Sequence, residues 1–278
     1  MKKGINIWSF PRQSLEENFK LAKEKGFRGV ELGLDENNGE INMNSTKEDM
    51  EKVKALADKY GIELFSVATT VHWNYWLTSS DEKNVEMAKA IIKKQIDVAS
   101  WLGCDTVLVV PGACGVDWLP NCELIDYDVA YERALAGIKE MAPYAEEKKV
   151  SIALENVGNK LLLSPIEFRD FIDKVGSDYV GAYFDVGNIL RTGYPDQWIR
   201  ILGKRIKKIH IKDYKKASNS FVNLMEGNVD FPAVIKALKS IGYDDYITAE
   251  VGPLYAYYPE MLLDMTSVAM DKILEGEM

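Results

Sequence analysis

The sequence predicts an α/β fold in which eight parallel strands alternate with eight helices in a single domain spanning residues 1–278. Short β-branched apolar segments alternate with longer amphipathic segments from one end of the chain to the other. Segments such as VLVV and IAL are continuously apolar, which is typical of strands buried on both faces. A length of 278 residues is ordinary for such a (β/α)8 barrel, the TIM barrel.

The strands are expected at residues 4–8, 29–34, 63–69, 106–110, 151–155, 180–185, 207–212 and 245–251. The first helix carries the polar face 18–25, and the others are expected at 46–60, 82–102, 127–148, 165–175, 197–202, 231–241 and 259–274. Ser45 and Ser164 are the predicted N-caps of two helices. An open doubly wound sheet is the rival fold. It has fewer strands and often a glycine-rich first turn, which this sequence lacks.

Composition excludes several classes of function. Hydrophobic residues make up 47% of the chain and charged residues 28%, so a large core and a solvated surface are both expected. The net charge of −9 disfavours a nucleic-acid partner. The three cysteines match no metal-binding spacing and are expected to be reduced thiols. With no signal peptide and no 18-residue apolar stretch, we expect a cytoplasmic protein that does not enter membranes.

Polar residues mark the ends of the last four predicted strands. Glu155 ends the fifth strand, Asp185 the sixth and Glu250 the eighth, and His210 lies in the seventh. Each alone is readily explained by a salt bridge, a turn or a core histidine. Together they favour one metal site, because the C-terminal strand ends of a barrel face the active site and a buried carboxylate needs a partner. Three carboxylates and one imidazole suit Mn²⁺, and also Mg²⁺, Co²⁺ or Zn²⁺.

At these residues the sequence resembles the xylose isomerase-like TIM-barrel family of sugar isomerases and epimerases. LEN, FDVGN, HIKDYK and EGNVDF occur in the family's order. The chain looks most like the ketose 3-epimerases, both those of D-tagatose and those of L-ribulose or L-xylulose 5-phosphate. The resemblance implies that Glu155, Asp185, His210 and Glu250 hold the metal. It further implies that Glu155 and Glu250 are the acid/base pair of a C3 epimerisation through an enediolate, and that the protein is a dimer or tetramer.

Three departures leave the sugar open. The free-sugar epimerases have His, Arg and Glu where this chain has Asn188, Lys216 and Leu161. A metal-dependent lyase of the inosose dehydratase type, an aldose–ketose isomerase such as a hydroxypyruvate isomerase, and a non-catalytic sugar-binding barrel therefore remain as alternatives. Endonuclease IV has the same fold, but its three zinc ions need more histidines than the two present here.

Further residues are expected around the metal. Candidate contacts to the sugar, or to a phosphate on it, are His72, Trp8, Asn156, Asn188, Lys212, Lys215 and Lys216. Ordinary packing is the alternative for His72 and Trp8, and a solvated surface is the alternative for the lysines. Asp213 is expected to hold a neighbouring residue, and Glu226 to orient His210 or to be a turn residue next to Gly227. Glu31, at the end of the second strand, is expected to point into the pocket or to form a salt bridge.

Overall fold

The computed structural model describes residues 1–252 and 255–275. The strands are β1 Lys2–Asn6, β2 Gly29–Leu34, β3 Glu63–Thr69, β4 Thr106–Val109, β5 Ser151–Glu155, β6 Val180–Asp185, β7 Ile206–Ile211, β8 Asp213–Lys215, β9 Ser220–Val222 and β10 Tyr246–Ala249. Eight of them form a closed parallel barrel in the order β1-β10-β7-β6-β5-β4-β3-β2, and β8 and β9 pair as a separate antiparallel hairpin. The predicted (β/α)8 barrel is confirmed.

In the described part of the chain, eight helices surround the barrel, one after each barrel strand. They are α1 Leu15–Glu24, α2 Lys47–Tyr60, α3 Glu82–Leu102, α4 Tyr127–Lys148, α5 Pro165–Val175, α6 Pro195–Leu202, α7 Phe231–Ser240 and α8 Met261–Glu275. The predicted N-cap Ser164 is confirmed, since its side chain accepts a hydrogen bond from the Glu167 N–H. Across residues 1–252 and 255–275, no helix has the length and apolar character that a membrane crossing requires.

Two local predictions are wrong because side-chain hydrogen bonds set the ends of the elements. Thr46 rather than Ser45 caps α2, because Thr46 and Asp49 form a reciprocal capping box. The first strand ends at Asn6 rather than at residue 8. There the Asn6 side chain accepts a hydrogen bond from the Trp8 N–H and turns the chain into a short 3-10 helix.

Aromatic side chains fill the end of the barrel opposite the predicted site. Phe65 and Tyr246 stack there with their ring centroids 3.9 Å apart. Gly4 and Gly29 leave room for this stack, because a Cβ on either glycine would lie within 3 Å of an aromatic carbon of the stack. Phe65 also belongs to a bulge, in which β3 shifts its register against β2 between Val30 and Leu32. The N-terminal end of the barrel is therefore a packed core, and the polar residues face the other end.

Candidate active site

Four side chains converge at the C-terminal end of the barrel. Glu155, Asp185, His210 and Glu250 each offer one ligand atom, and these atoms lie within 4.8 Å of one another. The sheet enforces this convergence, since Asp185 lies opposite His210 in the β6–β7 register and the Glu250 N–H donates to the Ile211 carbonyl. The structure thus brings together the four residues that the sequence singled out.

The His210 ring has its two nitrogens in different environments. Its Nε2 lies 2.6 Å from Glu31 Oε1, and since an ionised carboxylate only accepts, this nitrogen carries the proton. Its Nδ1 faces the three other carboxylates, at 3.4 Å from Glu250 Oε2 and 3.9 Å from Glu155 Oε1. Burial lowers the pKa of His210, but Glu31 and Glu250 outweigh it and raise the pKa well above its ordinary value. The site therefore favours positive charge at Nδ1, which a metal ion would supply in place of a proton.

Glu31 is the residue that holds His210. It is fully buried and accepts hydrogen bonds from Asn6 at 2.6 Å and from Ser66 Oγ at 2.7 Å. The bulge in β3 sets two residues, one of them Ser66, opposite Glu31. The expectation that Glu226 orients His210 is wrong. Glu226 is exposed and bonds Asn223, and it lies on the loop that follows the β8–β9 hairpin.

The donor atoms fit a divalent ion. In the described part of the chain, five buried side-chain atoms lack a hydrogen-bond partner, and three of them are Asp185 Oδ2, His210 Nδ1 and Glu250 Oε2. The other oxygen of Asp185 is satisfied, because it accepts the Asn188 N–H at 2.7 Å. Lys212 Nζ forms ion pairs with the two oxygens, and a divalent ion between the three atoms would satisfy all of them, His210 Nδ1 included. Oxygen donors with one imidazole are a suitable set.

Lys212 borders the carboxylate cluster, which is formed by Glu155, Asp185 and Glu250. Its Nζ lies 3.1 Å from Asp185 Oδ2 and 2.5 Å from Glu250 Oε2. Burial raises the pKa of Glu155 to about 6, and the nearby Glu250 carboxylate contributes to the rise. Burial also acts to raise the pKa of Glu250, but Lys212 and His210 reverse this and hold the pKa well below its usual range. Two carboxylates with pKa values moved apart are what proton donation by one and acceptance by the other requires.

A cavity of about 460 Å³ opens beside the four residues. Asn156, Asn188 and Lys212 lie between the cavity and the carboxylate cluster. Trp118, Phe221 and Arg191 form outer parts of its wall. The volume is in the range of pockets that bind small molecules, so the cavity is the natural place for the part of a substrate that extends away from the reacting carbons.

The predicted asparagines are committed to the site's own backbone. The side-chain amide of Asn156 bonds both the N–H and the carbonyl of Asp185, each at 2.8 Å. Asn188 Nδ2 donates to the Asn156 carbonyl at 3.0 Å and lies 3.5 Å from Glu155 Oε1. Both residues therefore position the acidic groups as well as lining the cavity, and their contact with a sugar stays a prediction.

Other predicted contacts lie away from the cavity lining. His72 is buried and its Nε2 pairs with Gln95 Oε1, and burial lowers its pKa to about 4. Trp8 is 39% exposed and packs beside Gly33. Lys215 and Lys216 are exposed on the hairpin. None of these four lines the cavity, so their contact with substrate also stays a prediction.

Asp213 holds a loop rather than a neighbouring side chain. Its buried carboxylate accepts the N–H groups of Tyr214 at 2.8 Å, Gly227 at 2.8 Å and Val229 at 3.1 Å. Arg191 is a cavity residue that sequence reasoning missed. It lies six residues after Asp185, in a loop that follows a strand end. A search of those loops for basic residues would have identified it.

Comparison with known proteins agrees with this geometry. The family model described as xylose isomerase-like TIM barrel matches residues 19–262. An uncharacterized protein of Methanocaldococcus jannaschii is 25% identical over 100% of this chain and 93% of its own length. An L-ribulose-5-phosphate 3-epimerase of Shigella flexneri is 26% identical over 82% of this chain and 78% of the relative.

Among solved structures, D-psicose 3-epimerase of Clostridium cellulolyticum, crystallised with D-tagatose, aligns with a TM-score of 0.80. It covers 99% of both chains at 20% identity, a likeness that concerns the fold. The family model covers most of the chain, from α1 to the start of α8, and includes all four converging residues. The chain therefore belongs to the xylose isomerase-like TIM barrel family.

Proposed function

We propose that the protein is a metal-dependent ketose 3-epimerase, acting on a ketose or ketose phosphate. The observation that carries this proposal is the convergence of Glu155 and Glu250, carboxylates from different strands, with Asp185 and His210 on ligand atoms within 4.8 Å of one another. The relative from Shigella flexneri, named as an L-ribulose-5-phosphate 3-epimerase, supports the same reaction class. We further propose Mn²⁺ as the resident ion, because it suits three oxygen donors and one imidazole.

The reaction inverts the carbon next to a ketone, and the two glutamates account for its protons. One glutamate accepts the proton from C3 on one face, which leaves a planar enediolate. The other glutamate donates a proton to the opposite face of C3 and so completes the inversion. A bound divalent ion supplies charge that stabilises the enediolate oxygens. Afterwards one glutamate is protonated and the other is not, and exchange with solvent restores the starting state.

The positions of the glutamates suit opposed roles. Glu155 follows β5 and Glu250 follows β10, and two strands, β6 and β7, separate them in the barrel wall. Asn188 lies beside the Glu155 carboxylate at 3.5 Å, whereas Lys212 and His210 keep Glu250 ionised. A low pKa makes Glu250 a weak base, whereas Glu155, with a pKa of about 6, is the better matched of the two to exchange a proton near neutral pH.

Proton NMR in D₂O tests the proposal. Mn²⁺-loaded protein is incubated with a panel of ketoses and their phosphates, and a chelator removes the ion before measurement. We expect deuterium at C3 and the C3 epimer as product. Deuterium at C1 or C2 would indicate an aldose–ketose isomerase instead, and a dehydrated product a lyase.

Glu155→Gln is the matching variant, because it keeps the shape of the side chain and removes its proton chemistry. We expect turnover to fall by about 10³-fold, with thermal unfolding unchanged within a few degrees. A fully active Glu155→Gln protein would refute the assignment of this residue. Glu226→Gln, an exposed change outside the cluster, is the control that should retain full activity.

A further inference from the structure

The cavity beside the carboxylate cluster carries an arginine without an acidic partner. Arg191 lies at the end of a short 3-10 helix, Asn188–Arg191, that directly follows the Asp185 loop, and it lines the cavity. Over residues 1–252 and 255–275, no carboxylate lies within ion-pair distance of its guanidinium. Arg191 is exposed, and in a chain with 43 acidic and 34 basic residues its guanidinium is left free to bind an anion.

The Arg191 guanidinium is held by aromatic rings rather than by ions. It lies 5.1 Å from the centroid of the Tyr214 ring and 5.7 Å from that of Phe221. Both rings belong to the β8–β9 hairpin, and they contact each other edge to face at 5.4 Å. Stacking orients the planar guanidinium and leaves its N–H groups free at the edge, which is the arrangement that binds a tetrahedral oxyanion through two parallel hydrogen bonds.

Phe221 also connects Arg191 to the reaction centre. Lys212 Nζ lies 5.2 Å from the centroid of the same ring, and Lys212 contacts Asp185 and Glu250. Lys212 at the carboxylate cluster and Arg191 in the cavity therefore contact the same ring, that of Phe221. A short chain of carbon atoms that begins at the cluster and runs along this ring would bring its far end to Arg191.

The remaining charges of the cavity wall do not compete for this role. Asp117 is the acidic residue of the wall, and it is paired with Lys160 at 2.5 Å. Lys212 is engaged with the two carboxylates of the cluster. The exposed Lys216 lies over the Tyr194 ring, at 5.5 Å, and does not line the cavity. Among the described residues of the cavity wall, the cation with free donors is Arg191.

We propose that Arg191 binds a phosphate group at the end of the substrate distal to the reacting carbons, and thereby selects phosphorylated ketoses over free ones. This inference rests on the proposed function, because it places the reacting carbons at the carboxylate cluster. It assigns phosphate recognition to the loop after β6 instead of to the lysine run Lys212, Lys215 and Lys216 that the sequence suggested.

The test compares L-ribulose 5-phosphate with L-ribulose in the wild-type protein and in Arg191→Met, which keeps the apolar stem over the rings. Losing a charge-assisted contact to phosphate is expected to lower kcat/KM for the phosphate ester by about 10- to 100-fold, mainly through KM. The free ketose should change by less than about threefold. Arg191→Lys retains the charge but not the planar guanidinium with its parallel N–H groups. Its kcat/KM for the phosphate ester should lie between those of wild type and Arg191→Met. Lys236→Met, which removes an equal charge from an exposed position on α7, is the matched control and should leave the kinetics with both substrates unchanged.

A binding measurement separates failure of this inference from failure of the proposed function. Inorganic phosphate and ribose 5-phosphate are titrated calorimetrically into wild type and Arg191→Met, whether or not any ketose turns over. Phosphate binding that weakens at least tenfold in the variant supports the site even if no epimerisation occurs. Equal phosphate affinity in the two proteins, or an equal loss of kcat/KM on ester and free sugar, would overturn it. The result that wild type prefers the free ketose would overturn it as well.

Discussion

At the scale of single residues, the site depends on a carboxylate that is not one of the four converging groups. Glu31 bonds Asn6, Ser66 and His210 at once, and so fixes both the tautomer and the direction of the imidazole. A carboxylate behind a metal-binding histidine raises its basicity and holds its ring in place. Because Glu31 is separated from His210 by 179 positions, only the closure of the barrel brings the two together.

Replacing Glu31 tests this role. Glu31→Gln can keep its hydrogen bonds to Asn6 and Ser66 while it loses the negative charge behind His210. We expect Mn²⁺ affinity, measured by calorimetric titration, to fall by about 10- to 100-fold. Glu226→Gln provides a matched control, since Glu226 is exposed and bonds Asn223. Unchanged affinity in Glu31→Gln would show that the histidine holds its orientation without the carboxylate.

His72 carries a second prediction at this scale. Burial lowers its pKa from 6.5 to about 4, so below pH 6.5 the unfolded chain binds a proton that the folded protein refuses. Stability should therefore fall as the pH drops from about 6.5 towards 4, and His72 alone should cost about 2 kcal/mol between pH 7 and pH 5. Urea denaturation of wild type and His72→Gln at these two pH values measures the difference.

The His72→Gln protein can still donate a hydrogen bond to Gln95, because a glutamine amide nitrogen reaches the position of the histidine Nε2, but its residue 72 does not titrate. Its free energy of unfolding should thus depend less on pH than that of wild type by about the same 2 kcal/mol. Identical pH dependence in the two proteins would mean that His72 takes up its proton while folded, which its enclosure beside Gln95 argues against.

At the scale of elements, the β8–β9 hairpin is the part that the sequence pattern missed. Its two strands have three residues each, too short for a periodic signal, and the carboxylate of Asp213 ties it to the loop at Gly227 and Val229. Gly227 approaches so closely that a Cβ there would lie 2.1 Å from Asp213 Oδ1. The hairpin carries both rings that stack on Arg191, so its position governs one wall of the cavity.

Asp213→Ala should loosen this wall. Two backbone N–H groups of the loop would lose their acceptor, at a cost of about 2 kcal/mol in the free energy of unfolding by urea. Limited proteolysis should also begin to cleave between residues 216 and 230. Glu226→Ala, an exposed change in the same loop, should alter stability by less than about 0.5 kcal/mol and leave the loop resistant. Equal proteolysis of the two variants would contradict the anchoring role of Asp213.

The elements also show what a sequence can and cannot predict. Apolar runs predicted β2, β3, β5 and β6 with their observed bounds, because burial on both faces leaves a direct pattern in the chain. The converging residues followed from the same strands, since the strand ends of a barrel meet. Features that arise from individual contacts were not predictable. These include the cap at Thr46, the turn after Asn6 and the bulge that brings Ser66 to Glu31.

At the scale of the whole molecule, the four converging residues connect a continuous arc of the barrel wall. They lie on or directly after β5, β6, β7 and β10, which are successive neighbours in the closed sheet. Three carboxylates with ligand atoms within 4.8 Å of one another repel, so the arc holds electrostatic strain that a bound cation relieves. An ion at this point would therefore stabilise the fold as well as take part in the chemistry.

Thermal unfolding with and without Mn²⁺ measures this coupling. An ion at 100 times its dissociation constant adds about 2.7 kcal/mol to the stability of the folded state. For a domain of this size that corresponds to a rise in Tm of about 5–10 °C. Asp185→Asn removes the charge of one ligand oxygen, Oδ2, which lies 3.1 Å from Lys212 Nζ. The Tm of this variant should rise by less than about 2 °C at the same Mn²⁺ concentration. The same rise in variant and wild type would place the stabilising ion elsewhere on the surface. Glu155, Asp185 and Glu250 would then be a cluster of acidic side chains held by Lys212 and His210 alone.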